Sequence, residues 1–162
     1  MNTTVRQILK FKSKEVWSVN PDTTIFDALL LMKEKDIGAV VVLDGDSLVG
    51  IFSERDYARQ AVMHKETIKY LPVKELMSRE VFHVSPDQTV QDCMVLMTAY
   101  HFRHLPVVEK EKLIGIITIG DVVKSVIEDQ NLLLEKMQDY ISGRYGRWTD
   151  SSFNPNILTV RP

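Results

Sequence analysis

Two pairs of side chains in this sequence combine a hydroxyl with a carboxylate three positions later. Ser53 precedes Asp56, and Thr118 precedes Asp121, each time directly after an apolar run that contains Gly-Ile. The run predicts a strand, and the hydroxyl residue marks a helix start, because Ser and Thr are favoured N-caps. Unpaired N–H groups and partial positive charge make a helix N-terminus favourable for phosphate. The hydroxyl adds a donor and the carboxylate can accept both hydroxyls of a ribose, so this chemistry suits a nucleoside monophosphate.

The same residues also have a simpler interpretation, in which they only cap helices. Ser53 and Thr118 would be N-caps, and the aspartates would favour the positive helix ends. Because the pattern occurs twice and in register, the sequence favours binding over capping alone. Apolar residues that flank the groove, such as Ile51 and Ile116, could sandwich a purine base.

The two motifs are copies within a longer internal repeat. Residues 16–27 match residues 81–92, sixty-five positions later, so that Pro21 corresponds to Pro86. The register holds without a gap to the end of both motifs. A repeat of this length is one supersecondary unit that is too small to bury its own core. The sequence therefore predicts two packed halves with a ligand groove between them.

Each repeat has the predicted layout β-α-β-β-α. An alternating apolar stretch, 16–19 or 81–84, leads through a Pro-Asp turn into an amphipathic helix. Two short β-branched strands and a second helix follow. We predict an α/β fold of two pseudo-twofold-related repeats packed through their sheets. The expected segments are a first repeat at 5–64, a linker at 65–72, a second repeat at 73–128, and a C-terminal helix extension and tail at 129–162.

The edges of the repeats are less regular than their centres. Val5–Leu9 resembles Val73–Met77, but these segments are sixty-eight positions apart. Three extra residues around Lys10 to Glu15 must therefore lengthen the first loop. At the other end, the last helix is predicted to continue to Ile141.

Composition restricts the class of protein. The chain has 162 residues, 44% hydrophobic and 26% charged, with a net charge of −2, which gives no reason to expect nucleic-acid binding. No apolar run approaches the roughly 20 residues that cross a bilayer, and the N-terminus lacks a signal-peptide stretch. The lone Cys93 excludes an internal disulfide and fits a reducing cytoplasm. His101 and His104 have no partners for a metal set, so we expect no metal site.

The paired Val-x-Pro-Asp-x-Thr and Gly-Ile-x-Ser/Thr-x-x-Asp segments resemble a tandem pair of CBS domains, the Bateman module. The resemblance covers about residues 5 to 128. It implies an adenosine-containing ligand between the repeats, with AMP favoured and ADP, ATP, S-adenosylmethionine or NAD as alternatives. The family's ribose-binding aspartate corresponds to Asp56 and Asp121, and its hydroxyl residue to Ser53 and Thr118, so two sites are implied.

The resemblance also implies that basic residues contact phosphates. Arg103 and His104 precede a strand of the second repeat, as similar basic residues do in the nucleotide-binding gamma subunit of AMP-activated protein kinase. Gly38 and Ala39 occupy the matching positions of the first repeat and carry no charge. Arg55 is a further candidate, because its planar fork can bind phosphate oxygens bidentately. Unequal halves predict unequal sites.

These observations favour a non-catalytic regulatory module that binds an adenine nucleotide and signals to an unidentified partner. No nucleophile–base or metal constellation is visible, so we do not expect an enzyme. The resemblance implies a homodimer. Two alternatives remain: a module that binds NAD or S-adenosylmethionine, and an interaction protein whose clefts are vestigial.

Overall fold

The computed structural model describes residues 3–12 and 15–142, with backbone only at 63–66. Residues 143–162, which belong to the predicted C-terminal tail, lie outside the described residues. The elements in chain order are α1 (Val5–Phe11), β1 (Ser18–Val19), α2 (Ile25–Lys35), β2 (Ala39–Asp44), β3 (Ser47–Ser53), α3 (Glu54–His64), 3₁₀ segments at Lys65–Tyr70 and Val73–Glu75, α4 (Val90–Tyr100), β4 (His104–Glu109), β5 (Lys112–Thr118) and α5 (Ile119–Ile141).

Contacts divide the chain into two compact units, residues 1–126 and 127–162. The first unit contains both repeats. The described part of the second unit is the C-terminal portion of α5, whose apolar side chains Leu133, Leu134 and Met137 are exposed. Within the described residues, no helix combines the length and the apolar character needed to cross a membrane.

The strand pairing confirms the predicted repeat. In the first half β1 pairs in parallel with β2, which forms an antiparallel hairpin with β3. In the second half β4 and β5 form the equivalent hairpin. Both hairpins shift register at matching points, after Val42 and after Val107. The helices before them, α2 and α4, both end at a residue in the left-handed conformation, Asp36 and His101.

The opening strand differs between the halves. Where the repeat predicts a strand at 81–84, the second half has a single parallel bridge between Val84 and Val107. In the first half the Val41 N–H donates to the Trp17 carbonyl at 3.3 Å. The position that matches Val41 is Pro106, which has no N–H to donate. The second opening strand is therefore shortened because one ladder bond cannot form.

Each half has its own hydrophobic core, and each core contains residues from the other repeat. The first core buries Val73, which begins the second repeat, beside Ile25 and Phe52. The second core buries Val5, which begins the first repeat, beside Val84 and Leu105. The two leading segments, 5–9 and 73–77, are thus exchanged between the halves.

Further residues complete these cores. Ile68 lies in the segment predicted as a linker and is 2% exposed in the first core. Cys93 is fully buried in the second core, where burial raises the pKa of its thiol to about 11. At neutral pH this thiol is protonated and unreactive.

Backbone hydrogen bonds fix the exchange at equivalent places. Val5 N donates to the Gln88 carbonyl at 2.9 Å, and Val73 N donates to the Thr23 carbonyl at 2.8 Å. The return bonds run from Val90 N to Thr3 at 2.8 Å and from Ile25 N to Leu71 at 2.9 Å. These segments therefore occupy the same position in opposite halves.

Side chains repeat the same arrangement. Leu9 packs against Gly115, where an added Cβ would lie 2.7 Å from the leucine Cδ2, and Met77 packs against Gly50 in the other half. Exposed ion pairs follow the pattern as well, with Arg6 paired to Asp87 and Lys74 paired to Asp22. Exposed pairs add little stability, so the apolar contacts carry the exchange.

Substitution of Val5 tests whether the exchanged segment supports the second core. Because Val5 is fully buried among second-repeat residues, Val5→Ala should lower the free energy of unfolding by about 1–3 kcal/mol. Lys10→Ala, at an exposed position of the same helix, is the matched control and should change it little. Urea denaturation followed by circular dichroism provides the measurement. An unchanged midpoint in Val5→Ala would contradict the exchange.

Candidate functional site

The two motif aspartates are held by hydrogen bonds at the start of a helix. Asp56 Oδ2 accepts from Ser53 N at 2.9 Å and from Ser53 Oγ at 2.6 Å, while Asp56 N donates back to Ser53 Oγ at 3.3 Å. Thr118 and Asp121 repeat this arrangement at 2.7, 2.7 and 3.3 Å. Each pair forms a capping box, so the capping interpretation describes real contacts. These contacts also fix the position of each carboxylate.

A cleft of about 840 Å³ adjoins the first of these capping boxes. Its walls come from the end of β3 and the start of α3, from residues 78–82 near the start of the second repeat, from the residues around β4, and from the junction of β5 and α5. The lining residues are Gly38, Ile51, Ser53, Glu54, Arg55, Asp56, Arg59, Ser78, Glu80, Val81, Phe82, Tyr100, His101, Phe102, Arg103, His104, Pro106, Thr118, Ile119 and Gly120. Both repeats therefore build this first cleft, whose volume suits a small organic ligand.

Three arginines line the first cleft, beside the carboxylates of Glu54, Asp56 and Glu80. Arg55 and Arg59 lie on α3, and Arg103 precedes β4. Arg55 Nη1 also donates to the His101 carbonyl at 3.0 Å, so it connects the two repeats. Guanidinium groups so placed can bind phosphate oxygens through paired hydrogen bonds.

An aromatic cluster forms another part of the same wall. The Phe82 ring lies 4.9 Å from Tyr100 and 5.0 Å from Phe102, and the last two rings are 5.6 Å apart, measured between centroids. These distances are typical of favourable aromatic packing. The cluster gives the cleft a stiff apolar surface beside its charged one.

A second cleft of about 600 Å³ occupies the equivalent position in the other half. Its described lining residues are Lys12, Glu15, Val16, Trp17, Glu34, Lys35, Asp36, Ile37, Gly38, Ala39, His104, Ile116 and Thr118. Trp17 takes the place that Phe82 has in the first cleft, and Lys35 Nζ lies 4.0 Å from the centroid of a Trp17 ring. The two clefts are thus related by the repeat but lined by different charges.

Lys12 forms an ion pair with Asp121, the motif carboxylate of the second half. Its Nζ lies 2.6 Å from Asp121 Oδ2 and donates to the Ile116 carbonyl at 3.1 Å. Burial by itself would raise the pKa of Asp121, but the hydrogen bonds from Lys12 and Thr118 outweigh burial and lower that pKa. Among the described residues, no cation forms an ion pair with Asp56.

A family model described as CBS domain matches the chain twice, at residues 5–62 and 73–128. The chain belongs to the CBS-domain family. It is 33% identical over 154 residues to the CBS domain-containing protein CBSX3, mitochondrial, of Arabidopsis thaliana, covering 89% of this chain and 74% of that protein. The predicted family is therefore confirmed.

Solved CBS structures share the fold. A putative signal-transduction protein with CBS domains from Burkholderia ambifaria MC40-6 superposes with a TM-score of 0.75 at 49% identity, covering 79% of this chain and 96% of that one. CBSX2 in complex with AMP superposes with a TM-score of 0.64 at 31% identity, covering 79% and 98%. The predicted fold class, an α/β pair of CBS repeats, is confirmed by these neighbours.

The CBS pair brings most of the expected site residues to the first cleft. Those that line it are Gly38, Ile51, Ser53, Arg55, Asp56, Arg103, His104 and Thr118. Ala39 and Ile116 line the second cleft instead, and Asp121 lines neither cleft but pairs with Lys12, which lines the second. Ile51 lines the first cleft and Ile116 lines the second, so contact of either residue with a purine stays a prediction for its own cleft. Each isoleucine lies in the second strand of its own hairpin, Ile51 in β3 and Ile116 in β5, so the two belong to different halves.

Sequence reasoning missed several lining residues of the CBS clefts. Phe82 and Trp17 lie in the stretches 81–84 and 16–19, for which the sequence pattern predicts only strands. Arg59 lies three residues after Asp56 on α3, so helical spacing could have found it, whereas Glu54 has no such spacing from Asp56. Lys12 gave no signal, because it lies where the register of the repeat is interrupted.

His104 lies between the two clefts and lines both. Burial lowers its pKa, and the positive charges of Lys12 and Arg103 lower it further, while Asp56 and Asp121 act in the opposite direction. The folded CBS pair therefore favours neutral imidazole at this position.

The lowered pKa of His104 predicts a pH dependence of stability. As the pH falls, His104 of the unfolded chain takes up a proton near the ordinary pKa of 6.5, whereas His104 of the folded chain does so only at lower pH. Stability should therefore fall as the pH drops below 6.5, and His104→Gln should lose less over the same range. Melting temperatures of both proteins at pH 7.5 and 5.5 provide the measurement. Equal losses in the two proteins would contradict the assignment, because all other titrating groups are shared.

Proposed function

We propose that this CBS pair is a non-catalytic regulatory module that binds AMP or a related adenine nucleotide in the first cleft. The observation that carries the proposal is Asp56, a carboxylate fixed by its capping box on the wall of a cleft of about 840 Å³. Its Oδ2 is held by Ser53, which leaves Oδ1 to accept hydroxyl groups of a ribose. The AMP complex of CBSX2, a neighbour at 31% identity, supports the same ligand class.

The remaining walls of the first cleft suit the other parts of a nucleotide. Ile51, Val81 and Phe82 offer apolar surface for a purine base. Arg55 and Arg103 offer guanidinium groups for phosphate oxygens. A ligand in this position touches both repeats, since the cleft takes residues from each.

The proposed regulation follows from that shared contact. A nucleotide can shift an equilibrium between two arrangements of the protein only by its differential affinity for them. We propose that the shift is transmitted to a partner protein, and that two copies of the chain associate. We also propose that the protein is located in the reducing cytoplasm, because the single cysteine of the sequence, Cys93, is a free thiol.

Substitution of Asp56 tests the ribose contact. Asp56→Ala should weaken AMP binding by about 1.5–3 kcal/mol, because it removes hydrogen bonds to a charged group. That loss corresponds to roughly 10- to 150-fold in dissociation constant, measured by isothermal titration calorimetry. Asp46→Ala, which removes the same charge at an exposed turn, is the control and should bind as the wild type does. Unchanged affinity in Asp56→Ala would exclude the assignment.

Thermal shift ranks the possible ligands. A ligand that binds the folded chain stabilises it by mass action, so AMP, ADP, ATP, NAD and S-adenosylmethionine can be compared at equal concentration. We expect AMP to raise the melting temperature by several degrees at 100 times its dissociation constant, which stabilises by about 2.7 kcal/mol. A larger shift with NAD would favour a dinucleotide module. If none of the five compounds gives a shift, the alternative of an interaction protein with vestigial clefts is favoured.

A further inference from the structure

We propose that Lys12 closes the second cleft to adenosine ligands, so that each chain binds such a ligand at the first cleft only. The inference rests on the proposed function, because it assumes that a ribose binds the motif carboxylate. It identifies the residue that makes the two clefts unequal.

The contacts of Lys12 carry this inference. Its ammonium group donates to Asp121 Oδ2 and to the Ile116 carbonyl, so it lies directly against the wall of the second cleft. Asp121 Oδ2 therefore accepts from three donors, the ammonium, the Thr118 N–H and the Thr118 hydroxyl. The lysine and aspartate side chains are 29% and 23% exposed, so this ion pair is partly shielded from water. Among the described residues Oδ1 of Asp121 accepts from no donor, as is also true of Asp56, so the ammonium opposes a ribose by neutralising the carboxylate and by taking up space on the wall of the second cleft.

Displacement of the ammonium is unfavourable in this position. A partly buried charge that loses its partner keeps the cost of its desolvation. The ribose hydroxyls are neutral donors, and hydrogen bonds from neutral donors to a carboxylate are weaker than those of an ammonium ion. The chain's own lysine thus outcompetes the ribose at Asp121.

The described lining residues of the first cleft include no lysine. Asp56 has the same capping box, and within the described residues only Ser53 side-chain and backbone donors are seen on its carboxylate. Lys12 lies where the three extra residues interrupt the repeat, so it has no fixed counterpart in the second repeat, and in the sixty-five-residue register Glu80 matches Glu15. Glu80 lines the first cleft and cannot neutralise another carboxylate. Within the described residues, Asp121 therefore has a cationic partner and Asp56 has none.

Calorimetric titration with AMP tests the inference through stoichiometry. Wild type should bind one AMP per chain, and Lys12→Met, which keeps the length of the side chain and removes the charge, should bind two. The added site should disappear in the double variant Lys12→Met/Asp121→Ala. In Asp56→Ala, where the first cleft is disabled, adding Lys12→Met should strengthen AMP binding at least tenfold.

Two further variants test the same inference in case Lys12→Met does not fold. Lys12→Arg keeps the charge and should keep one site, while Lys12→Gln keeps a donor for the Ile116 carbonyl and should open the second site. Circular dichroism melts verify that each variant is folded.

The outcomes separate this inference from the proposed function. Two AMP sites in the wild type, or one site in both Lys12→Met and Lys12→Gln, would overturn the inference and leave the proposed function standing. Weaker AMP binding in Lys12→Met within the Asp56→Ala background would show that Lys12 is a ligand contact, and would also overturn it. Absence of AMP binding in every protein would remove both.

Discussion

The reciprocal exchange of the two leading segments is the constraint on which the rest of this structure depends. Val5 fills a space in the second core and Val73 fills the equivalent space in the first, so neither core is complete without the other repeat. Leu9 and Met77 then press against Gly115 and Gly50, the glycines that open the two motifs. The exchange therefore positions the strand ends on which Asp56 and Asp121 depend.

Much of this fold could be predicted from the repeat, because periodicity and turn residues report local structure. The β-α-β-β-α order and the helix starts followed from that information. The exchange did not, although Val5–Leu9 and Val73–Met77 were noted as similar segments. An apolar pattern shows that a segment buries one face, but it does not identify the surface that receives it. The shortened second opening strand depends on Pro106, whose missing N–H matters only once its pairing partner is known.

The candidate site, like the fold, could be predicted from the sequence only in part. Ser53 and Asp56 were correctly placed together at a helix start, and the structure adds that their hydrogen bonds form a capping box. Capping and ligand binding are therefore compatible, because the cap orients the carboxylate that a ligand would contact. Lys12 could not be anticipated, since its contact with Asp121 spans 109 positions and arises where the two repeats fall out of register.

The exchanged segments also fit an origin of such a chain by gene duplication. In a chain of half the length, with a single repeat, the leading segment would have no core of another repeat to pack into. The core of that repeat would in turn lack the segment that completes it. Two identical copies could satisfy both by trading segments around a twofold axis, as in a domain-swapped dimer. Duplication and fusion of that half-length gene would place both copies in one polypeptide and free them to diverge. Gly38 and Arg103, at matching positions with different charge, are the kind of difference that such divergence produces.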